Sequence, residues 1–364
     1  MKLLNFGHDQ FRNLNPSRLT LEGKRHFFLG KNGQGKSNLL EGLGYLGSLR
    51  SFRTHETRPL LRTGSREARL LYELGDEDGE HRVEITLRPG TKRLLVNGDP
   101  VKRLSLMIGR FPSITMHSGD LALLDGSPGN RRRFLDLHLS FLSPDYLKAL
   151  KDYQDALSER NALLKTRKLD AGQLSVFEEP MARAGEYLVD ARGRGLKALE
   201  GQLVEAYGRI SPVEECPRLR YRPDVGEASR EGFANHLKEQ RSRDALQGTT
   251  RQGPHRDDFV FELEGGEARM FASEGQKRGM VVALRMAQLR MLREGLGRRP
   301  LLFADDIIGE LDPERRERFW ASFDPEIQLF ATGTEPPFAD PLGWQIFSVE
   351  AGRVTLRTGN HQDA

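Results

Sequence analysis

"HFFLGKNGQGKS", residues 26–37, runs from an apolar segment into a glycine-rich turn. Its last eight residues, Gly30 to Ser37, fit the pattern G-x-x-x-x-G-K-[ST] without a mismatch. Each part has a physical reason. Gly30, Gly33 and Gly35 let the backbone turn tightly and present N–H groups to phosphates. The segment that follows, "SNLLEGLGYLGSLRSF", places Leu39, Leu40, Leu43, Leu46 and Leu49 at three- and four-residue spacing, which predicts a helix. Its positive N-terminus faces the same anions. Lys36 reaches the β- and γ-phosphate oxygens, and the Ser37 hydroxyl serves Mg²⁺. Strand, loop and helix together predict a nucleotide phosphate site. The pattern alone does not separate a kinase from a GTPase or a motor.

Two later segments extend the site. In "PLLFADDIIGELDPERR" the apolar residues Leu301 to Ala304 predict a buried strand that ends in Asp305. A carboxylate there can hold Mg²⁺ through its water shell. Asp306 follows at once, where it can polarise an attacking water; on its own, the pair reads equally as caps of the next turn. Pro313 predicts the first position of a helix. "FASEGQKRGM", residues 271–280, sets Ser273, Gly275 and Gln276 at the head of another predicted helix. Read alone, Ser273 is an ordinary N-cap.

The 364 residues are 37% hydrophobic and 30% charged, with a mean hydropathy of −0.58, so the chain reads as soluble and globular. No apolar run reaches the roughly 18–20 residues of a membrane span. "MKLLNFGHDQFRN" turns polar at once and shows no apolar signal core, so a cytoplasmic location is the expectation. A single cysteine, Cys216, excludes an intramolecular disulfide and a cysteine-based metal cluster. The net charge of +4 and pI of about 9.1 permit nucleic-acid binding without demonstrating it. Lysines are 13 of the 56 basic residues. That arginine bias fits bidentate phosphate contacts, and equally a GC-rich genome.

Strand patterns dominate the first 125 residues, with turns at Asp78-Gly79 and Pro89-Gly90. From Gly129 the chain reads as helical, broken at Ser143-Pro144, with Tyr146, Leu150, Tyr153 and Leu157 on one face. A second helical stretch runs from Ser175 to Ile210. The two span roughly 30 and 50 Å at most, too short for a long coiled-coil arm. Strand character returns near residue 217. The expected division is an N-terminal part of a head (1–125), an inserted helical lobe (126–215) and a C-terminal part of the head (216–364).

The order of these segments resembles ABC-type ATPases, in which a serine-glycine signature of one head completes the ATP site of another. "SGDLALLDGSPGNRRRFLD" (118–136), "GPHRDDF" (253–259), "ASEGQKR" and "DDIIGELD" are similar, more narrowly, to the RecF family of bacterial recombination-repair proteins. "NFGHDQFRNL" and "SFRT" (51–54) agree, so the resemblance covers essentially the whole chain. It implies an α/β fold, an ABC-type P-loop ATPase head with a mixed sheet, an antiparallel lobe and an inserted α-helical lobe. It assigns Gly30, Lys31, Asn32, Gly33, Gln34, Gly35, Lys36, Ser37 and Asn38 to ATP, Ser37 and Asp305 to Mg²⁺, and Asp306 to catalysis. Ser273, Gly275 and Gln276 would face the second nucleotide of an ATP-dependent homodimer. It further implies binding to double-stranded, gapped or junction DNA and work with RecR and RecO to load RecA. Replication restart, the SOS response and a nucleoid-associated place in the cytoplasm, away from membranes, go with that role.

The departures from the family pattern and from the wider ABC pattern imply slow hydrolysis used as a switch. Glu274 adds charge beside a triphosphate, Thr332 and Thr334 stand where transporter ATPases have a histidine, and Ser118-Gly119 replaces Pro-Glu, with no evident glutamine beside it. Arg50, Arg53, Arg58, Arg62 and Arg66, with Arg131, Arg132 and Arg133, are candidates for DNA phosphates. A solvated face or internal ion pairs is the competing reading for each. His255 and Arg256 are expected to pair with Asp257 or Asp258. A transporter ATPase subunit, a small-molecule kinase and an SMC-like tether are the alternative functions.

Overall fold

In the computed structural model, residues 1–166, 171–211, 213–226, 229–306, 309, 311–335 and 343–357 are described. In chain order the first elements are β1 (Lys2–Asp9), β2 (Ser17–Thr20), β3 (Arg25–Leu29), α1 (Lys36–Ser48), β4 (Ala68–Asp76), β5 (Gly79–Arg88), β6 (Thr91–Val96), β7 (Asp99–Pro100) and β8 (Ser113–His117). Next come α2 (Ala122–Asp125), α3 (Pro128–Leu142), α4 (Pro144–Leu164), α5 (Ala171–Ile210), β9 (Pro217–Arg222), α6 (Arg230–Gln247), β10 (Asp258–Leu263), β11 (Gly266–Glu267), α7 (Ala268–Phe271) and α8 (Glu274–Leu296). The last are β12 (Leu301–Asp305), α9 (Pro313–Ala321), β13 (Leu329–Gly333), β14 (Gln345–Glu350) and β15 (Arg353–Leu356).

These elements form two compact units, Met1–Asp120 with Gln288–Ala364, and Leu121–Ala287. The expected boundaries near residues 125 and 215 differ from these. The second unit reaches Ala287 because β9, β10 and β11 make a separate antiparallel sheet, and β9 packs on α5. The signature segment therefore belongs to the unit that holds α3 to α6.

The first unit holds two six-stranded sheets. One is antiparallel, in the order β2-β1-β4-β5-β6-β7. The other, β15-β14-β3-β13-β12-β8, is parallel except for its edge strand β15. A parallel sheet is covered on both faces, so its strands are apolar throughout: Leu301 to Ala304 and Leu329 to Ala331 are all buried. Helix α1 lays Leu39, Leu40, Leu43 and Leu46 into the core with Phe28, Phe303, Phe330 and Phe347.

In the second unit α4 packs on α5, and α5 on α6. Helix α5 has 40 residues, about 60 Å at 1.5 Å per residue, somewhat longer than the sequence suggested. Helix α6 was not foreseen at all. Its apolar positions are few, Phe233 and Leu237 inward and Leu246 89% exposed, so no hydrophobic stripe marks it. What fixes it is charge. Arg160 on α4 is fully buried and donates to Glu178 on α5 (3.2 Å), Asp244 on α6 (2.7 Å) and Thr250 (2.7 Å).

A buried cation with its carboxylates in place is near neutral, but removing one partner strands the others away from water. Arg160→Met is expected to destabilise this unit by about 3–5 kcal/mol, read from urea unfolding followed by circular dichroism. An unchanged transition would show that Glu178 and Asp244 need no cation.

Candidate nucleotide site and signature segment

Strand β3 delivers the chain into the phosphate loop at Gly30. A Cβ there would lie 2.3 Å from the Val349 carbonyl oxygen, so only glycine allows this approach. Gly35, at φ +111°, precedes α1, whose first turn has no side-chain cap. The N–H groups at this helix start are left for an anion. Lys36 is buried and folds its ammonium onto the loop itself, donating to Gly30 O (2.6 Å) and Lys31 O (3.1 Å). It is thereby held over the turn where phosphates belong.

Several loop residues are lashed to the rest of the unit. The Gln34 side-chain oxygen accepts from Ala351 N (2.7 Å), and its carbonyl accepts from Gly352 N (3.0 Å). Asn38 donates to Asn13 Oδ1 (2.8 Å) and accepts from Arg53 (2.6 Å). These two side chains therefore shape the loop. Lys31 and Asn32 are exposed.

The acid pair ends β12. Asp305 is hydrogen-bonded to Ser37, and its Oδ1 accepts from the Thr332 hydroxyl at 3.0 Å. Burial pushes the Asp305 carboxyl above its ordinary value and Asp306 adds to this, while the bonds from Ser37 and Thr332 and the charge of His117 oppose it. A partly buried carboxylate beside a serine hydroxyl at the end of a phosphate loop is a setting that a divalent cation relieves. The donor set thus fits Mg²⁺, with Ser37 and Asp305 as the residues that would hold it. Asp306 is exposed, in a left-handed backbone conformation at φ +55°. Glu310 of the following turn lies outside the described residues.

His117, which pairs with Asp305 across β8 and β12, was missed in the sequence. Its ring stacks on Phe52 at 4.8 Å and contacts Asp120 at 3.2 Å. Only the strand register, invisible in one sequence, could have found it.

In the second unit, Ser273 and Gln276 form a reciprocal capping box at the start of α8. Gln276 N donates to Ser273 Oγ (3.3 Å), and Ser273 N donates to Gln276 Oε1 (2.6 Å). The Gln276 amide also donates to Glu215 Oε1 (2.6 Å), so it is engaged on its own chain. Glu274 takes the Lys277 ammonium at 3.4 Å, and that ammonium also reaches Asp125 at 3.1 Å. Ser273 itself is exposed.

The arginine candidates divide. Arg131 is 5% exposed and forks onto both oxygens of Asp258 (2.7 and 2.9 Å). Arg132 donates to the Asp257 carbonyl (2.7 Å). These are internal contacts, and Arg131 is withdrawn from the DNA candidates. Arg62 is half-buried on Asn15. Arg50, Arg58 and Arg66 are exposed, and the guanidinium groups of Arg50 and Arg58 make no hydrogen bond or ion pair among the described residues.

The segment 253–259 is structural, with partners other than those expected. Asp257 pairs with Arg192 (2.8 Å) and Asp258 with Arg131, whereas His255 bonds Tyr153 (2.8 Å) and Thr250 O (3.1 Å). Burial keeps His255 below its ordinary value. Arg256 is exposed.

A phosphate loop and an acid-ended strand in a parallel sheet, an antiparallel lobe, and a serine signature opening a helix define an SMC-like ABC-type ATPase head. No protein-family profile matches the chain. It is 34% identical over 369 residues to the DNA replication and repair protein RecF of Anaeromyxobacter sp. (strain Fw109-5), covering 98% of this chain and 99% of that protein. The protein of the same name from Acaryochloris marina (strain MBIC 11017) is 32% identical, with 96% and 98% covered. The chain belongs to the RecF family. A solved structure of the recombination mediator protein RecF-ATP in the RecFOR pathway matches with a TM-score of 0.90 at 28% identity, over 98% of this chain and 97% of that one. The Smc head domain of Pyrococcus furiosus, at TM-score 0.54 and 14% identity over 98% and 95%, shares the fold.

Lys36→Ala removes a charged donor from the loop and is expected to weaken ATP binding about 10- to 100-fold, measured by isothermal titration calorimetry. Unchanged affinity would take the loop lysine out of the site.

Proposed function

We infer that this chain is an ATP-dependent DNA-binding protein of recombinational repair. ATP joins two copies into a dimer that closes on gapped or junction DNA, and slow hydrolysis releases it. With RecO and RecR as partners the dimer helps to load RecA, which serves replication restart and the SOS response from a nucleoid-associated place in the cytoplasm. Support comes from the names of the relatives and from the likeness to RecF-ATP.

The observation that carries the reading is the division of the ATP machinery. Lys36, Ser37, Asp305 and Asp306 lie in one compact unit, and Ser273 opens a helix that starts in the other. In its own unit Ser273 meets Gln276, and its hydroxyl proton has no acceptor among the described residues. A serine hydroxyl and helix-start amides suit the γ-phosphate of a nucleotide held by a second copy. Such a site makes ATP part of the interface, so that binding and dimerisation are one equilibrium.

Within each site Lys36 would neutralise phosphate charge, and Ser37 with Asp305 would hold the metal. Mg²⁺ supplies charge neutralisation on the phosphates when bound. Asp306 orients the water. A shorter acid than glutamate, with no histidine on β13, gives a slow switch. Arg50 and Arg58, whose guanidinium groups make no bond among the described residues, are the positions offered to DNA phosphates, with Arg53 and Arg62 contributing from their internal bonds.

Light scattering after size exclusion tests this, with no nucleotide, ADP or ATP, and with a gapped duplex. ATP alone is expected to double the 41.2 kDa mass and to retain the duplex, and Ser273→Arg to abolish both. Because Ser273 also caps α8, a loss of about 0.5–2 kcal/mol in stability is expected alongside. A wild-type protein that binds ATP and stays monomeric on DNA would sink the reading.

A further inference from the structure

Strand β13 lies between β3, which leads into the phosphate loop, and β12, which ends in the acid pair. The register sets Ala331 beside Ala304, Thr332 beside Phe28, and Gly333 beside Leu29. The last two residues of β13 therefore sit between the two halves of the nucleotide machinery. Thr332 is 5% exposed.

A hydroxyl has one proton and two lone pairs. Thr332 gives its proton to Asp305 Oδ1 at 3.0 Å and accepts the Asp306 N–H at 3.0 Å. One oxygen thus grips two consecutive acids, one by its carboxylate and the other by its backbone. The second grip matters because Asp306 holds φ +55°, a conformation that costs a non-glycine residue energy unless its surroundings impose it. Gly333 completes the arrangement: its carbonyl accepts the Gly30 N–H at 3.2 Å. Adjacent residues of one strand hold the acids through a side chain and the loop through the main chain.

We propose that Thr332 is a positioning residue for ATP hydrolysis, fixing Asp305 and Asp306 relative to the phosphate loop. It touches neither nucleotide nor metal in this role. The inference rests on the ATPase reading above. A residue that only filled space would be replaced without consequence by valine, which has the same shape and no hydroxyl.

The test compares wild type with Thr332→Val and Thr332→Ser, using a fluorescent ATP analogue with and without Mg²⁺, and steady-state turnover. Without Mg²⁺ all three are expected to bind alike, because the loop contacts are intact. Mg²⁺ should tighten binding to wild type and Thr332→Ser, and at least about tenfold less so to Thr332→Val. The kcat of Thr332→Val should fall about tenfold or more, KM for MgATP should rise in step with the weaker Mg²⁺-dependent binding, and serine should restore most of both.

A valine variant that answers Mg²⁺ and turns over like wild type overturns the proposal. So does one in which Mg²⁺-free binding collapses equally in the serine variant, which would mark a role in folding. If Thr332→Val does not fold, Thr332→Ala carries the test by the same criteria. A wild-type protein that binds no ATP would instead overturn the reading on which the inference rests.

Discussion

The Gly30 amide donates to the Gly333 carbonyl across 3.2 Å, and this contact joins the first residue of the phosphate loop to the strand beside the acid pair. A polyanion held by main-chain N–H groups requires the backbone to come close, and side chains stand in the way. Gly30 meets the Val349 carbonyl where a Cβ would go, and Gly352, in the turn after β14, meets Asn13 in the same manner. The loop is thus clamped from below by β13 and from the side by the β14–β15 turn, through Gln34. The phenylalanines behind it, with Phe303 stacked on Phe330 at 5.0 Å and Phe28 against Phe347 at 5.4 Å, keep the strands in register. Loop, acids and metal position all depend on that register.

The parts that could be read from the sequence are those in which chemistry is local. Strand, glycines, lysine and serine of the loop are contiguous, and so are the apolar strand and Asp305-Asp306. The helix starts at Pro313 and Ser273 were visible because caps act within three residues. Asp312 accepts from Arg315 N, and Ser273 from Gln276 N, as such spacing requires.

What stayed hidden acts over long separations. For Arg131 the sequence left DNA contact and internal pairing both open, because its partner, Asp258, lies 127 positions away. Helix α6 carries too little apolar surface to announce itself, and it is held by Asp244 on Arg160 and by Arg241 on Glu178. Thr332 stood out in the sequence only as the residue in place of a histidine. Its bonds to Asp305 and Asp306 follow from strand pairing, which no spacing rule reveals. The segment at 253–259 was distinctive without being interpretable, since Arg192 on α5 and Tyr153 on α4 explain it only once the helices are packed.

The central claim is that a nucleotide held by one chain is completed by Ser273 of another. Mixing two inactive variants, Lys36→Met and Ser273→Arg, tests it most directly through ATP turnover. In a mixed dimer one site carries both defects and the other carries neither. The account predicts that each variant is inactive alone and that the mixture regains a substantial part of wild-type turnover. A mixture as inactive as its components would contradict it, and would place Ser273 at its own chain's nucleotide or at none.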